Sequence, residues 1–412
     1  MRRAAVASIV AVLLGACASG AGTPRESLSM TARVADSTTV PETTGSTQAP
    51  PAPEPTSAPA PEPVAPETAA ARTDIVRPRA ASRRPATTAP VVKRPPPRPN
   101  RATDGAAAPA PPPPSSRAVF DGDFPDPFVL RAGAYWYAFS TQSGITHVPV
   151  LRSADLRTWE RAGDALPGLP SWSSFGYVWA PAVMARPMGG FVLYYSTRHA
   201  ATGLQCLSVA VAALPQGPYV DTSTGPFVCQ TDRGGSIDPS PFTAADGAPW
   251  LAWKSEGTLD GEPTRIWTAP LTAEGTALAG EPREVLSTAE VWEGPIVEAP
   301  TMVVEGGRYH LFFSGNRWET AQYAIGHAVC DGPAGPCRRV PAEPIVASDA
   351  TRAGPGGGEV FRDASGALLL AHHAWAPAAV GYPAGARRLH IDTLTFDGER
   401  AAAHPWQGGS VL

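Results

Sequence analysis

The sequence predicts an all-β fold, a single five-bladed β-propeller in residues 118–412, and two observations lead to it. First, one plan recurs five times at intervals of 56 to 60 residues, which is typical of propeller blades rather than of helical repeats. Each copy is a glycine turn followed by aromatic and aliphatic residues, and the turns begin at Gly133, Gly189, Gly247, Gly307 and Gly366. Second, helical periodicity is absent, and Pro and Gly punctuate every segment. A β-sandwich would not explain five equal units.

Each repeat is expected to be a hairpin-centred blade. A shorter strand-like segment precedes each glycine turn, in the order DPFVLRA, APAVMAR, DPSPFTA, APTMVVE and GEVFRDA. Strand, turn and strand make a hairpin, and hairpin-centred units repeated around an axis make a propeller. The innermost strands then meet at a central channel, so equivalent residues of different blades converge on one pocket.

The start of the chain predicts export. Arg2 and Arg3 precede an apolar stretch, residues 4–14, that is shorter than the ~20 residues needed to cross a bilayer. The following LLGAC resembles the bacterial lipobox, in which the cysteine becomes the lipidated first residue. We expect residues 1–17 to be a signal peptide ending at Cys17, which anchors the protein at the outer face of the membrane in the cell envelope. The alternative is ordinary signal cleavage with loss of Cys17, which would leave the protein secreted.

Residues 18–117 are predicted to be a disordered linker. They consist mainly of Pro, Ala, Thr and Ser, a composition that cannot bury a core and that favours extended polyproline II. Residues 1–116 carry 13 Lys and Arg against 8 Asp and Glu, a net charge of +5. Because the whole chain has a net charge of −4, the remaining residues have a net charge of −9. The acidic remainder argues against nucleic acid as a partner.

Three carboxylates occur in the segments before the glycine turns. Asp126 lies in PDPF, Asp238 in IDPSPF and Glu298 in VEAPTM. Asp before Pro is a common turn-former, which would explain Asp238 taken alone. Turn formation does not require an acid in three blades at one register, however. We therefore expect these side chains to lie at matching positions and to converge on one catalytic pocket.

Residues 119–412 resemble glycoside hydrolase family 43. The resemblance is carried, in family order, by DFPDPFVLRAGAYWYAFST, LRSADLRTWE, VWAPAVM, SIDPSPF and VEAPTMVVEGGRYHLFFSGN. It implies a five-bladed propeller and inverting hydrolysis of arabinofuranosyl or xylosyl linkages. It also implies that Asp126 is the general base and Glu298 the general acid. Asp238 would orient the acid and modulate its pKa.

Further site residues follow from the same motifs. Glu293 in WEGPIVEAP competes for the role of acid, but Glu298 directly precedes the Ala-Pro that aligns with the WAP motif. Trp179 of that motif is expected to bind the substrate as a stacking platform, with a buried core tryptophan as the alternative. His373 in AHHAW resembles a later histidine of the family and is expected to face the channel and bind substrate.

No cofactor is expected to be required. Many relatives carry a histidine before the fifth blade that helps to hold a cation or water cluster, but this chain has Gly357, Gly358 and Glu359 there. A structural calcium is therefore left open, and none of the eight histidines shows metal-motif spacing.

The four cysteines of the propeller are expected to form two disulfides because export permits them. Cys330 and Cys337 flank the turn-rich DGPAGP, and Cys206 and Cys229 flank the outer strands of the second blade. We therefore predict the pairs Cys206–Cys229 and Cys330–Cys337.

Two other functions compete with a monomeric enzyme on arabinose- or xylose-containing glycans. A non-catalytic glycan-binding lipoprotein is disfavoured because all three carboxylates are present. A fructan hydrolase shares the propeller but usually adds a C-terminal β-sandwich, which we do not expect here. No G-x-S-x-G, H-E-x-x-H or phosphate-loop motif occurs.

Overall fold

A computed structural model describes residues 117–257 and 261–408. The predicted signal peptide with Cys17, and all of the predicted linker but residue 117, lie outside the described residues. Among the described residues no helix is long and apolar enough to cross a membrane. Their helical content is limited to two single turns of 3-10 helix, Thr231–Arg233 and Val291–Glu293.

The described residues form five antiparallel sheets. Blade one contains β1 (Phe128–Ala132), β2 (Tyr135–Phe139), β3 (Pro149–Ser153) and β4 (Glu160–Asp164). Blade two contains β5 (Ser173–Ala185), β6 (Phe191–His199) and β7 (Gln205–Ala212). Blade three contains β8 (Ser236–Thr243), β9 (Pro249–Ser255), β10 (Arg265–Pro270) and β11 (Arg283–Ser287). Blade four contains β12 (Val297–Glu305), β13 (Arg308–Gly315), β14 (Ala324–Cys330) and β15 (Cys337–Arg339). Blade five contains β16 (Ala353–Arg362), β17 (Leu368–Trp375), β18 (Arg388–Asp397) and β19 (Arg400–Pro405).

The prediction of a five-bladed propeller is confirmed. Strands pair in chain order within each blade, and each predicted glycine turn joins the first strand to the second. The first strands β1, β5, β8, β12 and β16 contact their neighbours around the ring and form its inner wall. Blade two has three strands, and Leu207 and Val211 of β7 pair through isolated bridges with Val228 and Val220 instead of a fourth strand.

Apolar side chains between neighbouring blades hold the ring together. One cluster joins Trp136 and Leu151 of blade one to Leu369 and Leu389 of blade five, and all four side chains are almost inaccessible to water. The segment before β1 reinforces this closure, because the backbone N–H of Val119 donates to the carbonyl of Leu389 over 2.8 Å. Burial between blades therefore connects the two ends of the propeller.

Both predicted disulfides are present. Cys206 in β7 bonds to Cys229, with Cα atoms 4.7 Å apart, and ties the irregular segment of blade two to its last strand. Cys330 and Cys337 face each other across β14 and β15, with Cα atoms 4.0 Å apart. On the chain-entropy model, loops this short stabilise by roughly 2–3 kcal/mol each.

Candidate active site

One backbone turn recurs at the inner end of all five blades. It places a residue with φ between 43° and 57° at or just before the start of regular pairing, and these residues are Asp126, Ala180, Asp238, Ala299 and Gly357. In blades two to five the register of the first strand also shifts at this turn, as in a β-bulge. A left-handed φ at a non-glycine residue costs on the order of 1–3 kcal/mol, and bulges re-aim side chains. The repeated turn therefore directs side chains into the channel at a cost in stability.

The predicted register needs a correction at Glu298. Asp126 and Asp238 occupy the left-handed position of their blades, but in blade four Ala299 occupies it and Glu298 lies one residue earlier. Glu298 therefore corresponds to Trp179 of blade two, and both line the same cavity.

The three predicted carboxylates and Trp179 do meet in one cavity. It has a volume of about 450 Å³, within the range of small-molecule sites, and is lined by Asp126, Asp238, Glu298 and Trp179 together with polar groups from other blades. The competing acid Glu293 does not line it. The Glu293 carboxylate is buried, pairs with Arg339 and accepts backbone N–H groups at the start of a 3-10 turn.

Asp126 is surrounded by groups that favour its ionised form. Thr141 Oγ1 donates to Asp126 Oδ2 over 2.6 Å, and Arg387 Nη1 lies 3.5 Å from Oδ1. Burial acts to raise the pKa of Asp126, but the Arg387 charge and the Thr141 hydrogen bond help to outweigh it and hold that pKa below its usual range. Asp126 is therefore ionised at neutral pH and able to accept a proton.

Asp238 and Glu298 form a second, proton-holding pair of carboxyls. Asp238 Oδ2 accepts the backbone N–H of Ala299 over 2.8 Å. Burial and then the Glu298 charge raise the pKa of Asp238 well above its usual value, partly opposed by the Lys254 charge. Because the Glu298 charge opposes ionisation of Asp238, this coupled pair keeps a proton on Asp238 to a higher pH than Asp126 keeps its own.

Glu298 is held by two further groups. Tyr323 Oη donates to Glu298 Oε1 over 2.7 Å, and Lys254 Nζ lies 2.9 Å from Oε2. The residue is only 7% exposed, so both contacts are shielded from water. The cavity thus contains Asp126, which is ionised, and a coupled pair in which Asp238 favours its protonated form, and acid and base catalysis requires such a divergence between carboxyls.

His373 lies behind Asp126 and outside the cavity wall. Its side chain is fully buried and is not part of the cavity wall. His373 Nδ1 accepts the backbone N–H of Asp126 over 3.1 Å, and its ring stacks on Tyr323 with centroids 5.7 Å apart. Burial lowers the pKa of His373 to about 4, so the ring is neutral. In this structure His373 thus supports Asp126 from behind, and the predicted contact with substrate stays a prediction.

Two indole rings line the cavity. Trp179 is half-buried, with the Tyr177 ring packed edge-on at 6.3 Å. Trp318 also lines the cavity, and the Arg387 guanidinium lies over it at 4.5 Å from the ring centre. Such rings suit the apolar faces of sugars. The prediction that Trp179 lines the pocket agrees with its position, and a role in binding stays a prediction.

Sequence reasoning missed several polar residues of the site. Arg387 and Tyr323 lie in connections between strands, outside the repeated motifs, and had no signal. The sequence did contain a signal for Lys254, because in the aligned repeats Lys254 occupies the place of Ser196 and Ser314 but is charged.

In the axial channel, the carboxyl beside the glycine turn is already engaged by hydroxyl groups, which disfavours it as a ligand of a structural calcium. The carboxyl that faces the channel next to the glycine turn is Glu359, which already accepts the hydroxyls of Ser240 and Thr301 over 3.0 Å each. Burial raises the pKa of Glu359 to about 8 despite these bonds. No group of three or more His, Cys, Asp or Glu within the described residues is arranged to hold a metal, whereas calcium takes about 6–8 oxygen ligands.

Comparison with known proteins adds to this geometry. The family model of glycosyl hydrolases family 43 matches residues 115–399. The extracellular exo-α-(1→5)-L-arabinofuranosidase of Cellvibrio japonicus is 30% identical over 207 residues, which cover 47% of this chain and 58% of that protein. The match thus spans little more than half of that relative.

Two solved structures share the fold. A thermostable family-43 glycoside hydrolase has a TM-score of 0.63 and 25% identity, covering 70% of this chain and 96% of that one. An endo-1,4-β-xylanase of Bacteroides thetaiotaomicron has a TM-score of 0.59 and 26% identity, with the same coverage of 70% and 96%.

Proposed function

The chain belongs to glycosyl hydrolases family 43, whose members are enzymes acting on glycosyl bonds, and from this premise we propose that it hydrolyses α-L-arabinofuranosyl linkages of plant-type glycans with inversion. The observation that carries the proposal is the pairing, in one cavity, of the ionised Asp126 with the proton-holding Asp238–Glu298 pair. The arabinofuranosyl substrate is supported by the name of the Cellvibrio japonicus relative. A β-D-xylosyl substrate is the second candidate, supported by the name of the xylanase of similar fold.

The proposed reaction assigns each carboxyl one task. Asp126 accepts a proton from the water that attacks the anomeric carbon, because its neighbours keep it ionised. Glu298 gives its proton to the glycosidic oxygen as the bond to the leaving group breaks. Asp238 shares the proton of the pair and is held in place by the Ala299 N–H. A single displacement of this kind inverts the anomeric carbon.

Export and anchoring are part of the proposal. The Cellvibrio japonicus relative is named extracellular, and the start of this chain has the charged and apolar pattern of a signal peptide followed by LGAC. We propose lipid attachment at Cys17, with the linker as a spacer that lets a monomeric propeller reach glycans outside the membrane.

The first experiment identifies the substrate and the stereochemistry. The purified protein is incubated with aryl α-L-arabinofuranosides, aryl β-D-xylosides, arabinan, arabinoxylan and xylan, and NMR follows the first-formed anomer. Release of the inverted sugar from the arabinofuranosides and from arabinan is expected. A retained anomer would contradict the mechanism, and inactivity on the whole panel would favour a glycan-binding protein.

The second experiment separates the roles of Asp126 and Glu298. Glu298→Gln should lose far more activity on substrates with poor leaving groups than on aryl glycosides with good ones, because only the former need protonation. Asp126→Asn should lose activity on both, since the water loses its base. Glu160→Gln, which breaks a surface pair with Arg152, is the matched control and should behave as the wild type.

A further inference from the structure

A ring of hydrogen bonds links the blades at the catalytic end of the channel. In four of the five blades the backbone N–H of the left-handed residue donates to a side chain of the preceding blade that lies in, or just after, its second strand. These bonds are Asp126 to His373 Nδ1 (3.1 Å), Ala180 to Thr141 Oγ1 (2.8 Å), Asp238 to Ser196 Oγ (3.1 Å) and Gly357 to Ser314 Oγ (3.0 Å). Counted from the glycine turn, Ser196, Ser314 and His373 occupy the same place in their repeats and Thr141 lies one residue later, so the fold uses one polar acceptor in each of these four junctions.

The junction between blades three and four is the exception. Its equivalent residue is Lys254 in β9, and an ammonium group has no lone pair with which to accept a hydrogen bond. The N–H of Ala299 donates to Asp238 Oδ2 instead. Lys254 Nζ bridges Glu298 Oε2 at 2.9 Å and Glu256 Oε2 at 2.8 Å, and its side chain is only 4% exposed. Since an uncharged acceptor serves the fold in the other four junctions, this buried cation is a departure that the propeller itself does not require.

We propose that Lys254 and Glu256 are positioning residues for the acid step: Lys254 holds the Glu298 carboxyl, and Glu256 offsets the charge of Lys254 so that the Asp238–Glu298 pair keeps its proton. The proposal rests on the proposed hydrolysis and deepens it. A cation beside the pair on its own would favour loss of the proton that the leaving group needs. Glu256 is the counter-charge that limits this effect while Lys254 still orients the acid.

The charges around the pair agree with this balance. Burial acts to lower the pKa of Lys254, but the charges of Glu298, Glu256 and Asp238 outweigh it and keep the ammonium protonated. The Lys254 charge in turn lowers the pKa of Asp238, against burial and the charge of Glu298. The titratable and charged groups that face the pair or line its cavity are Asp126, Lys254, Glu256, Arg317, Glu319, Tyr323 and Arg387.

The test uses two substitutions with opposite expected effects on the alkaline limb of the pH–rate profile. Lys254→Ser installs the residue found at the equivalent places of blades two and four, and removes the cation. Its alkaline limb should move to higher pH by about one to two units, with a lower kcat because Glu298 loses a contact. Glu256→Gln leaves the cation unbalanced, so its limb should move to lower pH. That shift should be smaller, because the Glu256 side chain is 28% exposed and water screens its charge.

The profiles are measured on one substrate with a poor leaving group, and thermal unfolding checks that each variant is folded. Lys254→Arg keeps the cation and should restore much of the lost kcat, while Glu160→Gln should leave the limb in place. Limbs that stay in place, or that move in the same direction in both variants, would overturn the inference. Glu256→Gln alone decides it if Lys254→Ser does not fold. A wild type that cleaves no glycoside overturns the proposed function and this inference together, whereas an active wild type with unmoved limbs overturns this inference alone.

Discussion

Replacement of Arg387 by methionine should move the acidic limb of the pH–rate profile. In the wild type that limb reports protonation of Asp126, whose pKa is held below its usual range, so activity should persist down to about pH 4. Without the Arg387 cation, the Thr141 hydrogen bond remains to oppose the rise in the pKa of Asp126 that burial causes. The limb should therefore move to higher pH.

The distance between the two groups sets the size of the effect. Arg387 Nη1 lies 3.5 Å from Asp126 Oδ1, and the two side chains are 9% and 22% exposed. Two unit charges about 4 Å apart interact by about 4 kcal/mol at an effective dielectric constant of about 20. That energy corresponds to about 3 pKa units, and entry of water into the cavity reduces it. A shift of about one to three pH units is expected, as for other aspartates beside arginine.

The assay is kcat/KM on an aryl glycoside with a good leaving group between pH 3 and 8, restricted to conditions in which thermal unfolding shows a folded protein. Arg387→Lys is the matched control, because it keeps the cation and should leave the pH of the acidic limb close to that of the wild type. Loss of the contact between Arg387 and Trp318 could change KM in both variants, but it has no reason to move the limb. If the limb of a folded Arg387→Met variant coincides with that of the wild type, the electrostatic account of Asp126 is refuted.

Three further predictions concern binding, stability and location. Trp179→Ala should lower kcat/KM by about 10- to 100-fold, as expected for loss of a stacked aromatic surface, while Val291→Ala at a 98% exposed site should not change it. Glu359→Gln should flatten the pH dependence of thermal unfolding. Because the pKa of Glu359 is raised to about 8 in the folded protein, the wild type loses stability as the pH rises from about 4.5 to 8, whereas glutamine does not titrate. An equal slope in both proteins would contradict this account. Cys17→Ser should release the protein from the membrane fraction into the medium, and a wild type already found in the medium would rule out the anchor.

Local patterns in the sequence were sufficient for the fold. The glycine turns and the aromatic runs after them recur because each blade solves the same packing problem, and Gly133 or Gly366 marks a hairpin whatever lies elsewhere in the chain. The pairing of Cys330 with Cys337 followed from a short hairpin loop for the same local reason. The grouping of Asp126, Asp238 and Glu298 in one cavity also followed, because residues at the inner ends of blades must meet at the channel.

The tertiary structure decided which atoms touch. Arg387 reaches Asp126 across 261 positions of the chain, and only closure of the ring brings blade five beside blade one. The left-handed turns set Glu298 one residue away from the register predicted for it, and a contact between blades five and one places His373 behind Asp126, outside the cavity wall. Repeats in a sequence specify where each blade turns and which face is apolar. The charge balance at the channel depends on contacts between blades, and those contacts exist only once the five blades have packed together.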